Sequence, residues 1–229
     1  MTEPVGLRGR KKQQTRALIA ETAWRLFEAH GFEAVTVGAI AREADVAEKT
    51  VFNYFPTKED LFYSPFESFE QDLLGALRER PAGETVLRAF RTFLLDGSRA
   101  GLLAVRGATA VEARRRLRHR HRMIAESPAL QARERQIMSQ TTRALADLIA
   151  AETRAPAGDI SAMVVATALV GVHAALIEFV RRRTLAEQDE FRRLARDLGA
   201  QATRAFDLLE SGLRHYAEAG SRSRPRSRG

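Results

Sequence analysis

The stretch from Thr36 to Lys58, TVGAIAREADVAEKTVFNYFPTK, constrains this chain more than any other. Val37 to Ala44 sets Ile40 and Ala41 on one side and Arg42 and Glu43 on the other. That is the pattern of a short amphipathic helix with its apolar side turned inward. Asp45 and Val46 interrupt it. From Glu48 to Phe55 helical spacing resumes, with Val51 and Phe55 four apart on one face and Glu48, Lys49, Thr50, Asn53 and Tyr54 on the other. Two short helices joined by a tight turn, the second polar on its outer side, describe a helix-turn-helix. In such a unit the second helix is shaped to enter the major groove of DNA.

The rest of the chain reads as helix too. Its 229 residues suffice for one large or two small domains with a real core. Only 7 prolines and 15 glycines interrupt long runs rich in Ala, Leu, Arg and Glu, and no segment alternates as a strand would. An all-α protein is expected. The formal net charge of +8 points to an acidic partner, of which nucleic acid is the common one. An arginine-rich composition with no partner behind it is the competing explanation. Cysteine is absent, which excludes disulfides and thiolate metal sites. The N-terminal residues are polar and basic with no apolar run behind them, so a cytoplasmic protein is expected. Ile160 to Val180 is long and apolar enough to span a membrane, but His173 and Glu178 lie inside it. The expectation is a buried helix of a soluble protein, with no membrane partner.

Enzyme chemistry finds no support. The chain has no Gly-rich phosphate loop and no carboxylate–histidine metal spacing. His119 and His121 are two apart, so on a helix they point in different directions and hold no metal jointly. No catalytic residue, metal or cofactor is expected.

The pairs and runs Thr36-Val37, Ile40-Ala41, Ala44-Asp45-Val46-Ala47, Phe52-Asn53-Tyr54-Phe55 and Thr57-Lys58-Glu59 carry a resemblance. In order and spacing they resemble the DNA-binding domain of TetR-family transcriptional regulators, over about the first quarter of the chain. Three positions depart from that pattern. Asp45 stands where glycine is usual, and Asp tolerates the left-handed backbone better than most residues. Ala47 replaces a hydroxyl residue and so removes a cap from the recognition helix. Phe52 stands where many relatives have Tyr, which removes a phenolic contact to phosphate. The contacts expected with DNA are Thr36, Lys49, Thr50, Asn53, Tyr54 and Lys58. Thr36 sits at the N-cap of the first short helix, near a phosphate in the family. Asn53 is suited to adenine and Thr50 to a thymine methyl. Lys58 offers a point charge to phosphate. Val46, Val51 and Phe55 are expected to be core.

Around this motif the chain divides into four parts. Residues 1–10 form a flexible basic arm, lying along DNA or simply solvated. Residues 11–57 form the DNA-binding domain, opening on a helix from Lys11 to His30 with Ile19, Ala23, Leu26 and Phe27 on its core face. Residues 58–219 form a helical ligand-binding and dimerisation domain: a connecting helix from Lys58 to Arg80, then helices over Glu84–Ala100, Ala110–Glu126, Ser127–Thr153, Ile160–Val180 and Glu187–Ala219. Residues 220–229, an Arg/Ser run, form a disordered tail.

The resemblance implies that the second domain binds a small molecule and forms a homodimer. Gly171, Ala174 and Ala175 are small enough to admit a partner helix. Phe66, Phe69, Phe90, Phe93, Met123, Met138 and His173 are the residues expected to line a ligand site, plain core packing being the alternative for each. The run from Phe52 to Asp60, and the Arg-rich helix followed by Ser127 to Leu130, resemble the mycofactocin-regulator-like subgroup with an acyl-CoA-type ligand domain. Arg114 to Arg122 is then either a site for a CoA phosphate or a solvated face. The expected function is a DNA-binding transcriptional regulator, a repressor by the family's habit, released from a palindromic operator by a small-molecule effector. An architectural DNA-binding protein without effector is the reading from another class.

Overall fold

The computed structural model describes residues 6–95, 110–186 and 191–212. Among these it contains ten α-helices, one short 3-10 turn and no strand. The breaks expected at Gly101 and Gly107, the first residues of the arm, the start of the last expected helix and the 220–229 tail lie outside the described residues. The chain falls into two units, one running to Ser68 and joined by Arg115–Ile137, the other made of Phe69–Arg114 and the residues from Met138 onward.

The first unit holds α1 (Leu7–His30), α2 (Val37–Glu43), α3 (Glu48–Tyr54) and α4 (Lys58–Tyr63), followed by the 3-10 turn Ser64–Phe66. Its core is one cluster in which Ile19, Ala23 and Phe27 of α1 meet Phe32, Val35, Ile40, Ala41, Val51, Phe55, Leu61 and Phe62. The stripe on α1 is the one its periodicity predicts, and Gly31, at φ 81°, ends the helix with its N–H on the Phe27 carbonyl. Trp24 stacks on Phe62 at 5.0 Å. The helix begins at Leu7 rather than Lys11, so the last residues of the expected arm are helical. A run of Arg, Lys and Gln propagates helix well, and Gly6 starts it.

Two expectations are corrected in this unit. The connecting helix is not continuous from Lys58 to Arg80: α4 ends at Tyr63, and α5 spans only Phe69–Arg78. Pro65 lies between them, and proline has no N–H for the helical ladder and crowds the preceding turn. The boundary expected at Lys58 moves to Ser68, because Leu61 and Phe62 are fully buried in the first core. That core also takes Met123, Ile124 and Leu130 from α7 (Ala110–Glu126) and α8 (Pro128–Thr153), residues expected in the second domain. Polar contacts fix this helical hairpin in place. Tyr63 donates to the Leu130 carbonyl at 3.1 Å, Ser127 donates to Glu33, and Arg133 pairs with Asp60 at 2.7 Å.

The second unit holds α5, α6 (Val86–Leu95), the remainder of α8, α9 (Ser161–Leu185) and α10 (Phe191–Ser211). Leu194, Leu198, Ala202 and Phe206 of α10 are buried at helical spacing, and Phe206 meets Phe90 of α6 at 6.2 Å. Arg80 pairs with Glu152 at 2.6 Å, Arg91 with Asp207 at 3.0 Å and Arg183 with Asp197 at 2.9 Å. The Arg80 guanidinium hydrogen-bonds the Glu152 carboxyl and holds it below the usual carboxylate range. Ahead of α9, Asp159 accepts from the Ser161 N–H at 2.8 Å, while the N-cap itself is Ile160, which has no side-chain hydrogen bond to give.

Helix α9 is not buried on all sides, as a core helix would be. Ala162, Ala166, Leu169, Val170, His173, Leu176, Val180 and Thr184 face inward at helical spacing. The far side leaves Met163, Val164, Val165, Gly171, Ala174 and Ala175 exposed, Val164 at 57%. It is the one helix among the described residues with the length and apolarity to cross a membrane.

Candidate nucleic-acid interface

The geometry of the interface starts from its turn. Asp45 lies at φ 51°, in the left-handed region that glycine usually fills, and the Val46 N–H returns to the Ala41 carbonyl at 3.0 Å. Helix α2 is capped by Thr36, whose hydroxyl accepts from the Ala39 N–H at 3.1 Å. Helix α3 starts at Ala47 with no side-chain hydrogen bond to cap it, as expected where alanine replaces a hydroxyl residue. Gly38 lets the two helices approach: a Cβ on it would stand 2.6 Å from the Glu48 Oε1, so the carboxylate lies against α2. Arg25 pairs with Glu43 at 2.7 Å and ties α2 to α1.

Val51 and Phe55 are buried and fix the rotation of α3 about its axis. Lys49 and Asn53 then stand on the outer side, exposed. Thr50 is partly covered, and Tyr54 packs against the core cluster. Thr57 and Asp60 form a reciprocal capping box at the start of α4. Lys58 is more committed than its sequence suggests. Its ammonium donates to the Phe32 and Val35 carbonyls, at 3.0 and 3.1 Å, and lies 4.1 Å from the centre of the Phe32 ring. Two of its three donors are thus used within the fold. The residue that sequence reasoning noted only as a lost phenolic contact is Phe52, which α3 holds 47% exposed; the signal that marks it is a bare ring on the polar side of a helix.

Known proteins show the same arrangement of domains. Residues 19–64 match the family model of bacterial regulatory proteins of the tetR family, and residues 94–214 match that of the MftR C-terminal domain. The mycofactocin biosynthesis transcriptional regulator MftR of Mycobacterium tuberculosis is 31% identical over 207 residues, 90% of this chain and 94% of that one. The chain belongs to the TetR family. A second relative, the HTH-type transcriptional regulator TcmR of Streptomyces glaucescens, is 40% identical over 84 residues, 37% of each chain. Among solved structures, NalD, the secondary repressor of the MexAB-OprM multidrug efflux pump in Pseudomonas aeruginosa, shares the fold. Its TM-score is 0.52 at 20% identity, over 85% of this chain and 97% of that one. The helix-turn-helix of this TetR-family regulator is therefore a DNA-binding element, and the protein regulates transcription.

The seven residues expected around a ligand divide between the two units. Met123 belongs to the core of the DNA-binding unit, and Phe66, also in that unit, lies under the Arg120 guanidinium at 4.6 Å. Phe69, Phe90, Phe93, Met138 and His173 belong to the second unit. There His173 stacks on Phe69 at 4.5 Å, and Phe69 meets Phe93 edge-on at 5.6 Å. His173 is 3% exposed, and its Nδ1 has no hydrogen-bond partner. Burial alone pushes this imidazole down to about 4, so it is neutral at physiological pH. Of the α7 arginines, Arg116 faces Glu28 at 3.8 Å and Arg120 covers Phe66, both inside the first unit.

Proposed function

We propose that this regulator binds a palindromic operator as a homodimer, represses transcription from it and is released by a small-molecule effector. The observation that carries the reading is the outer side of α3, where buried Val51 and Phe55 turn Lys49 and Asn53 outward. Asn53 is suited to pair with adenine, Thr50 to meet a thymine methyl, and Thr36, Lys49, Tyr54 and Lys58 to contact the backbone. The exposed apolar stripe of α9 supports the dimer, since Gly171, Ala174 and Ala175 leave room for a second copy of the helix. Two recognition helices about 34 Å apart then read two half-sites one helical turn apart. The action takes place in the cytoplasm, where bacterial DNA lies.

The match to the MftR C-terminal domain supports an effector module in the second unit. Its site centres on Phe69, Phe93 and His173, Phe90 and Met138 belong to the same unit, and the effector class is acyl-CoA-like. Selection of DNA from a random pool by the full chain is expected to enrich an inverted repeat. Enrichment of nothing, or of a single unrepeated site, contradicts the dimeric reading. Titration calorimetry with long-chain acyl-CoAs tests the effector: heat, together with release of the selected DNA, is expected. No heat with any chain length rules that class out.

A further inference from the structure

Phe52 is the one large apolar side chain on the outer side of the recognition helix, and it stands among polar neighbours. On a helix that turns about 100° per residue, Lys49 and Asn53 lie opposite the buried Val51–Phe55 edge, and Phe52 and Thr50 flank them. Other rings of this unit are engaged: Phe55 lies under Arg16, Phe32 under Lys58, and Phe62 against Trp24. Among the described residues, no ring or cation is placed over Phe52. The fold thus leaves nearly half of an aromatic side chain in water on the flank of a contact face, which forfeits part of the gain from burying it. Exposed aromatics of this kind, ringed by polar groups, become anchors when a partner covers them.

The chemistry of the ring narrows what it reads. Phenylalanine has no donor and no acceptor, so it cannot sense the hydrogen-bonding pattern of a base pair. The only apolar group on the major-groove edge of the standard bases is the C5-methyl of thymine. We infer that Phe52 is a specificity-determining residue that selects a thymine in each half-site by packing on its methyl group. This deepens the DNA-binding reading and rests on it.

The test uses the full chain and the duplexes it selects from a random pool. Each thymine of the selected half-site is replaced in turn by deoxyuridine, which removes only the methyl, and affinities are read by fluorescence anisotropy. One thymine per half-site is expected to be sensitive, costing about fourfold in each half-site when its methyl is removed. Phe52→Ala is expected to bind more weakly and to bind the thymine and deoxyuridine duplexes alike, while Phe52→Leu keeps a preference for thymine. Because the side chain is exposed, its truncation leaves the core untouched, and an unchanged melting temperature checks this. Deoxyuridine harmless at every position, a selected half-site without thymine, or an unchanged thymine preference in Phe52→Ala overturns the inference while leaving DNA binding intact. A pool that enriches no sequence overturns the DNA-binding reading, and the inference with it.

Discussion

Two residues show how far a side chain's surroundings decide its role. Lys58 holds the loop between α1 and α2 through the Phe32 and Val35 carbonyls before it meets any DNA. Lys58→Met should therefore cost about 1–3 kcal/mol of stability, seen as a lower denaturation midpoint, because two carbonyls lose a charged donor. If its remaining donor also meets a phosphate, the same variant should lower the salt slope of DNA binding by about one. His173 shows the opposite case, a polar group with no partner. Its folded value of about 4 lies below the ordinary 6.5, so between those values the unfolded chain binds more protons than the folded one. The stability conferred by the neutral ring is therefore full above 6.5 and is lost as the pH falls toward 4, by up to about 1.4 kcal/mol per pH unit. His173→Phe keeps the stack on Phe69 and removes the titration. Denaturation measured at pH 7 and pH 5 should show wild type losing stability relative to the variant; equal losses would mean the ring is not desolvated.

At the scale of elements, the helical hairpin at the α7–α8 junction matters more to the DNA-binding unit than its place in the chain suggests. Residues 1–68 expressed alone lack Met123, Ile124 and Leu130, each buried in that unit's core. Losing three such side chains removes about 5 kcal/mol of burial, comparable with a small domain's whole stability. The fragment is expected to melt without a cooperative transition, whereas a well-folded fragment would show that the hairpin is dispensable. This dependence was not legible in the sequence. Periodicity marks a residue as inward-facing but does not say toward which core, and Met123 and Leu130 lie over sixty residues from Phe62. The local motifs were legible because their causes are local. Thr36 and Thr57 cap the helices that follow them, Asp45 adopts the left-handed turn, and Val51 and Phe55 turn inward. The single connecting helix failed at Pro65, whose breaking effect outweighed the apolar spacing on either side. Of the candidate contacts, exposure of Lys49 and Asn53 follows from the spacing alone, whereas the internal use of Lys58 depends on a loop brought alongside it.

For the whole molecule, the exposed stripe of α9 is the feature that most needs a partner. An apolar strip running from Met163 to Ala175 on a helix of a DNA-binding protein is an interface or a liability to aggregation. Ala174→Arg sets a charge at the C-terminal end of the strip, where the wild-type residue is exposed and the chain's own core is untouched. Light scattering after size exclusion should find wild type at twice the mass of one chain and the variant at one. Operator affinity should fall by about a hundredfold or more as the two half-sites are read separately. A variant that stays dimeric places the interface elsewhere.

The most direct measurement is fluorescence anisotropy of the purified chain on DNA from upstream of its own gene, against shuffled DNA at physiological salt. The expected result is a preference of about a thousandfold or more, which Asn53→Ala diminishes without changing the fold. Equal binding to both sequences would contradict it, since a charge of +8 then suffices to explain the association and an architectural role becomes the better account. A preference that survives Asn53→Ala unchanged would keep the regulator but move its reading face off α3.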